Sequence, residues 1–444
     1  MLQENWMAMS SSEKWIEELE RPTEGFFPAF TAQIAEPEGV RDAVREAIKT
    51  LVPCIDWEAY LPHLPHGVLG LRAVLRLRPL LPEAEFLRAL AAQLHMAAHE
   101  GRRSPALLAQ VRSAKGSGLA LNLVAYVQAR RPALAFAEAQ GVAEPSEADF
   151  QPLAKLAWLD MANVGHKAVA CDQLADLQEL LGQPKATGRR LLGLAAWLLA
   201  TPEDSFWARR AAKRLGEAPV LVSQAAPTLS EVEQDALVRV ICDEGLVGIL
   251  DHLTARLEGG LGQGDALAVL VLSASEKLLD ARRDLEGKTA WTLVYLATLA
   301  RARPVDARVW CQAAALVNLF PTEEAEDRIR PTEVAAPSAE ALLDAILDAE
   351  PEPAMGQAAG LLRHGQEELV LRTLARAAAA NDPTFNHAHQ VLVLAAAADL
   401  LPQLPPRPRE AMLVALAKSL ANSQGSGDIG RLAERALREQ GQKM

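Results

Sequence analysis

Proline or glycine interrupts this chain roughly every 15 to 30 residues, and that punctuation limits what the chain can build. The breaks include Pro79 and Pro82, Gly101 to Pro105, Pro132, Pro145, Pro152, Gly182 to Pro184, Pro202, Pro219, Pro227, Gly259 to Gly264, Pro304, Pro321 and Pro402 to Pro408. Proline lacks an N–H and its ring clashes with the preceding turn, so each one ends or kinks a helix. The stretches between breaks run about 12 to 22 residues and are apolar at helical spacing. Val40, Ala43, Val44 and Ile48, for example, fall on one face at i, i+3, i+4 and i+8. Alanine and leucine carry the apolar content, and these are the best helix formers. No stretch alternates apolar and polar residues as a half-buried strand would. The pattern predicts an all-α chain: one large helical domain over residues 39–444, with about fifteen helices in a bundle or a solenoid-like array of helical hairpins. Residues 1–38 read as an N-terminal arm, where Pro22, Pro28 and Pro37 block a long helix. The acidic, proline-rich segment Pro321–Ser338 reads as a surface loop long enough to separate two halves.

Charge narrows the classes of partner. The 45 basic and 57 acidic residues give a net charge of −12 with no long basic run, which argues against nucleic acid. No apolar run approaches the ~18 residues of a membrane span, so no membrane partner is expected. Cys54, Cys171, Cys242 and Cys311 form no CxxC pair, which disfavours zinc knuckles and iron–sulfur clusters. Free thiols and an N-terminus without a targeting pattern predict a reducing, cytoplasmic location. With no strands there is no βαβ fingerprint for NAD or flavin.

The polar residues that stand out are histidines. Seven of the nine fall in four clusters within Ala/Leu-rich sequence: His63-Leu-Pro-His66-Gly, His95-Met-Ala-Ala-His99-Glu100, Gly165-His166-Lys167 and Asn386-His387-Ala-His389. Solvated helix faces ordinarily carry Lys, Glu and Arg, whereas imidazoles gathered on several helices can converge in a bundle core and bind a metal. His63 and His66 share a face at the start of the apolar run Val68–Leu77, behind Pro62 and Pro65. A solvated first turn is the simpler alternative. His95 and His99 have the i, i+4 spacing that lets two rings share an ion, although HxxxHE is not the HExxH metalloprotease signature. His166 reads as deep in a helix, with Asn163 as a hydrogen-bond partner, and a carbamate on Lys167 would add an oxygen ligand. Asn381-Asp382-Pro383 reads as a helix start, which puts His387 in the second turn of a helix running to Leu401. His387 and His389, two apart, would point in different directions, so at most one faces a common site. His252 and His364 read as surface residues.

Two of these blocks resemble the questin oxidase-like family. His63-Leu-Pro-His66-Gly-Val-Leu-Gly-Leu-Arg resembles the histidine pair that opens a family helix. Asp382-Pro-Thr-Phe-Asn-His387, followed by Leu400-Leu-Pro, resembles its Asp-Phe-Phe-Leu-Met-His block and shares the spacing of five from Asp to His. The Gly165-His166 helix is a looser third match. Together these cover about a tenth of the chain. The resemblance implies an all-helical oxygenase of aromatic ketones or quinones, with non-haem iron held by histidines. Carried over, it makes His66 and His387 the first ligand candidates and His63 and His166 the next. The chain departs from the family at Lys115 to Tyr126, where a family histidine has no counterpart, and at Asn386.

The resulting expectation is an O2-dependent oxidoreductase. Its metal ligands are drawn from His66, His166, His387, His63, His95 and His99. The metal is non-haem iron, with another transition metal as the alternative. Its partners are a small apolar organic substrate, aromatic or quinone-like, together with O2 and an electron-donor protein. The substrate pocket is expected to be apolar, with Trp57, Met96, Trp158, Met161 and Trp291 as lining candidates. A carboxylate-bridged di-iron centre is disfavoured, because the residue three after Glu58 is Leu61 and not His. Non-covalent haem between two histidines, or a helical scaffold that binds protein partners without catalysis, remain as the other classes.

Overall fold

The computed structural model describes residues 37–52, 66–100, 120–158, 160, 162–201, 209, 213–214, 222, 228–323, 328–383 and 388–425. Among these residues there are eighteen α-helices and no strand, and the only β pairing is an isolated antiparallel bridge between Ala281 and Thr322. None of the described helices is long and apolar enough to cross a membrane.

The helices start and stop where local chemistry directs. Proline stands in the first turn of α5 (Pro132–Gly141), α15 (Pro351–Arg363) and α18 (Pro406–Asn422), where its missing N–H costs nothing. Ser230 and Glu233 form a reciprocal capping box at the head of α9 (Glu231–Asp243). Asp306 and Ser338 cap α13 (Ala307–Asn318) and α14 (Ala339–Leu347). Pro152, expected to break the chain, lies inside α6 (Glu147–Trp158). The first described helix, α1, spans Pro37–Leu51, so Pro37 opens a helix that was expected to begin two residues later.

Four helices make the centre: α2 (His66–Leu77), α7 (His166–Leu180), α12 (Glu286–Ala302) and α17 (His389–Leu400). They pack in a closed ring in the order α2, α17, α12, α7 and back to α2. Helices α12 and α17 are buried on nearly every face, which is why their sequences are apolar all round and not amphipathic. All four run in the same direction. At one end of the ring the side chains of His66, His166, Trp291 and His389 meet; ten residues further along each helix, Arg76, Asp176, Arg301 and Asp399 meet at the other. Ten residues correspond to ~15 Å of helix axis.

A second layer wraps the ring. Helix α3 (Glu83–Glu100) packs on α2; α6 and α8 (Lys185–Ala200) pack on α7; α11 (Gln263–Leu279) packs on α12; and α16 (Glu367–Ala380) packs on α17. The apolar core is one continuous cluster from Val40 to Ala421. The segment Pro321–Ser338 does not divide it. Glu323 N donates to Asp280 O at 2.7 Å, Arg328 pairs with Asp280 at 2.7 Å, and Thr332 N donates to Glu352 O at 3.2 Å, so its described residues are tied down on both sides.

Candidate functional site

Three ring helices begin with a histidine. His66, His166 and His389 are the first residues of α2, α7 and α17. Sharp backbone turns deliver two of them. A 3-10 turn over Ala162–Gly165 precedes His166, with Val164 at φ 48° and Gly165 at φ 77°. Ala388, at φ 59°, precedes His389. Left-handed backbone is open to glycine but costs roughly 1–2 kcal/mol at a residue with a Cβ. Gly165 has a second constraint, since a Cβ there would lie 2.5 Å from the ring of Tyr295.

The rings lie close together. The His66 centroid is 5.4 Å from that of His166 and 5.1 Å from that of His389, in edge-to-face arrangements. Trp291 stacks on His166 at 3.9 Å with 14° between planes, and sits 5.6 Å from His389 and 5.7 Å from His66. Its indole N–H donates to Val164 O at 3.2 Å, so the left-handed turn that aims His166 also fixes the tryptophan stacked on it. Helix α12 closes the other side: a Cβ on Gly287 would stand 3.4 Å from His389 Nδ1. Beside Gly287, Glu286 and Lys418 form a buried pair at 3.5 Å, with Asn422 donating to Glu286 at 2.8 Å. Burial pushes the Glu286 carboxyl up against the opposing pull of Lys418 and Asn422.

At the far end of the ring three arginines meet three aspartates. Arg72, 1% exposed, donates to Asp176 at 2.6 Å and to Asp399 at 2.5 Å. Arg76 also binds Asp176, and Arg301 binds Asp172 through two nitrogens while standing 3.4 Å from Asp176. Burial raises the Asp176 carboxyl, but Arg76, Arg72 and Arg301 outweigh it and hold the group at about 2. Asp172 moves the other way, because burial exceeds the pull of Arg301. A cavity of about 640 Å³ opens onto this end between α6, α7 and the C-terminal end of α12.

The expected site residues are distributed as follows. His66 and His166 join the cluster. His63 and His387 lie outside the described residues, as do Trp57 and Met161. Of the His387/His389 pair, the described residue in the cluster is His389. The helix expected to start at Asp382-Pro383 starts six residues later than Pro383, at His389, because Ala388 breaks the helical backbone. His166 is therefore at a helix start, as His389 is, and not deep in a helix. His95 is half-buried on α3. Gln93 faces α2 from that helix, donating to Gly67 O at 3.0 Å, and His95 is turned about 200° from it. The His99 side chain lies outside the described part of the structure. Lys167 is buried and its ammonium lies 2.8 Å from Asp160 and 3.0 Å from Thr201 O; a carbamate there would set two anions against each other. His252 and His364 are on the surface. Met96 is buried on α3, and Trp158 packs edge-to-face on Tyr295 at 5.7 Å.

The cavity that His389 lines holds about 30 Å³, enough for a water-sized molecule. Among the described residues no three His, Cys, Asp or Glu side chains are grouped so that they could hold one metal ion. Comparison of the chain with protein families, with curated proteins and with solved structures finds no match in any of the three.

Proposed function

We propose that the chain is an oxidoreductase built around the His66, His166 and His389 cluster, and that it holds a transition metal, iron in the first instance, to act as an oxygenase. The observation that carries this reading is the convergence of three histidines from sequence positions 66, 166 and 389 at the heads of parallel helices, at centroid distances of 5.1 and 5.4 Å. Imidazoles that share an ion at ~2.0–2.2 Å have their ring centres roughly 5 Å apart. His66 therefore has the right spacing to each of the other two. His66 and His389 would hold the ion, with His166 fixed against Trp291 beside them. A complete ligand set needs a further donor, for which His387 and His63 are the sequence candidates. Imidazole donors accept Fe, Cu, Zn or Ni, and an iron ion would supply O2 chemistry. The apolar organic substrate, the O2 and the electron-donor protein rest on the family resemblance alone.

The test is elemental analysis of protein loaded anaerobically with Fe(II), for the parent, His66→Ala and His389→Ala, followed by O2 uptake with quinones. The expected result is about one iron per parent chain, lost in both variants while helical circular dichroism is retained. Parent protein that takes up no metal, or a His66→Ala variant that keeps its full content, would return the chain to the scaffold class.

A further inference from the structure

The cavity of about 640 Å³ has a chemistry of its own, independent of the histidine cluster. Two helix faces line it. From α7 come Asp172, Ala175, Asp176 and Glu179, at i, i+3, i+4 and i+7. From α6 come Phe150, Ala154 and Trp158, at i, i+4 and i+8. The α6 side thus sets aromatic rings among the polar side chains Glu147, Gln151 and Lys155, the α7 side is acidic, and Ala154 and Ala175 leave the space between. Val309 adds an aliphatic patch.

The charges that face this space have one dominant sign. The acids are Asp172, Asp176, Glu147, Glu179 and Asp306, of which Asp176 is paired with Arg72 and Arg76 and Asp306 with Arg308, and the bases are Arg301 and Lys155. Arg301 is already committed: two of its nitrogens donate to Asp172, and the third lies 3.4 Å from Asp176 and 3.8 Å from Asp399. An anionic ligand would have to compete with these carboxylates. Asp172 can still accept, because a carboxylate offers about four lone-pair sites and Arg301 takes one on each oxygen. Burial also leaves the Asp172 carboxylate less stabilised than an ordinary one, so a second cation nearby would be favourable. A ring such as Trp158 attracts a cation to its face.

We propose that this cavity is a binding site for an amphipathic organic cation, a protonated or quaternary amine on an apolar or aromatic body. The body lies between Phe150, Trp158 and Val309, and the ammonium is held by Asp172 with Glu179 at the rim.

Isothermal titration of the full chain with phenethylammonium, phenethyl alcohol and 3-phenylpropionate tests this. The three probes share a ring and differ in the charge of the head group. The ammonium should bind about tenfold or more tightly than the alcohol, and the carboxylate more weakly than either. Ala175→Phe, which puts a ring where the ligand body would lie between α6 and α7, should abolish ammonium binding, and Glu179→Gln should weaken it about two- to threefold. Asp172→Asn should remove the preference for ammonium over alcohol; because it also strips Arg301 of a partner, Ala175→Phe and Glu179→Gln serve where that variant fails to fold. Equal binding of ammonium and alcohol would overturn the proposal. So would preferred binding of the carboxylate, ammonium binding that survives Ala175→Phe, or no binding by any probe. The result stands or falls without reference to metal content.

Discussion

Asp176→Asn should destabilise the protein strongly, and far more than Arg76→Gln. The aspartate is 7% exposed and lies within reach of three arginines, Arg72, Arg76 and Arg301. With it the network holds three positive and three negative charges; without it, Asp172 and Asp399 face three guanidinium groups. Removing one partner from a buried ionic network costs about 3–5 kcal/mol, because the remaining charge stays buried and uncompensated. The unfolding entropy of a chain this long is about 0.9 kcal/mol per kelvin at ~2.1 cal/mol/K per residue, so the melting temperature should fall by about 3–6 °C. Arg76→Gln provides the internal control. The Arg76 side chain is 37% exposed, and solvent screening limits its loss to about 1 kcal/mol. Denaturant unfolding followed at 222 nm, together with thermal melts, compares the two. If Asp176→Asn melts within 1 °C of the parent, or Arg76→Gln proves the more damaging, then the network does not hold the helices as described.

The same aspartate sets an acid limit. Its folded carboxyl is held at about 2, below the ordinary 3.8, so its contribution is complete above pH ~4 and is lost as pH falls through 2; the difference is worth about 2.5 kcal/mol, seen as a falling denaturation midpoint in that window and absent in Asp176→Asn. Gly165→Ala should cost at least about 2 kcal/mol, since it combines left-handed backbone with a clash on Tyr295, whereas Ala388→Gly should stay within about 1 kcal/mol of the parent; chemical denaturation of both variants checks the contrast. Lys418→Met should cost about 3 kcal/mol by leaving Glu286 buried without its cation, and the added change Glu286→Gln should recover part of that loss in a double-mutant cycle.

The helices were legible because prolines, capping residues and apolar spacing all act locally. His66 was legible for the same reason, standing directly behind Pro65 at the head of an apolar run. His389 was not. Nothing about an alanine at position 388 announces a left-handed backbone, so His387 and His389 read as neighbours within a continuing helix. Gly165 did carry a signal, a glycine directly before His166, but the apolar residues on both sides outweighed it. The charge network was the least accessible part. Arg72 and Asp399 are 327 positions apart, and their pairing follows from ring closure, which no local pattern encodes. The one hint was charge inside otherwise apolar runs, two arginines in α2 and one aspartate near the end of α17.

Ring closure also sets an order of events during synthesis. Helix α2 is among the first described segments to leave the ribosome and α17 among the last, yet they are adjacent in the ring. At ~5–20 residues per second, the 327 positions between Arg72 and Asp399 take about 15–65 s to translate. Through that interval Arg72, Arg76 and His66 wait for α17, while α7 and α12 join them along the way. Nascent chains halted just before residue 389 should therefore display an open, chaperone-accessible ring, and the histidine cluster can form only once α17 has docked.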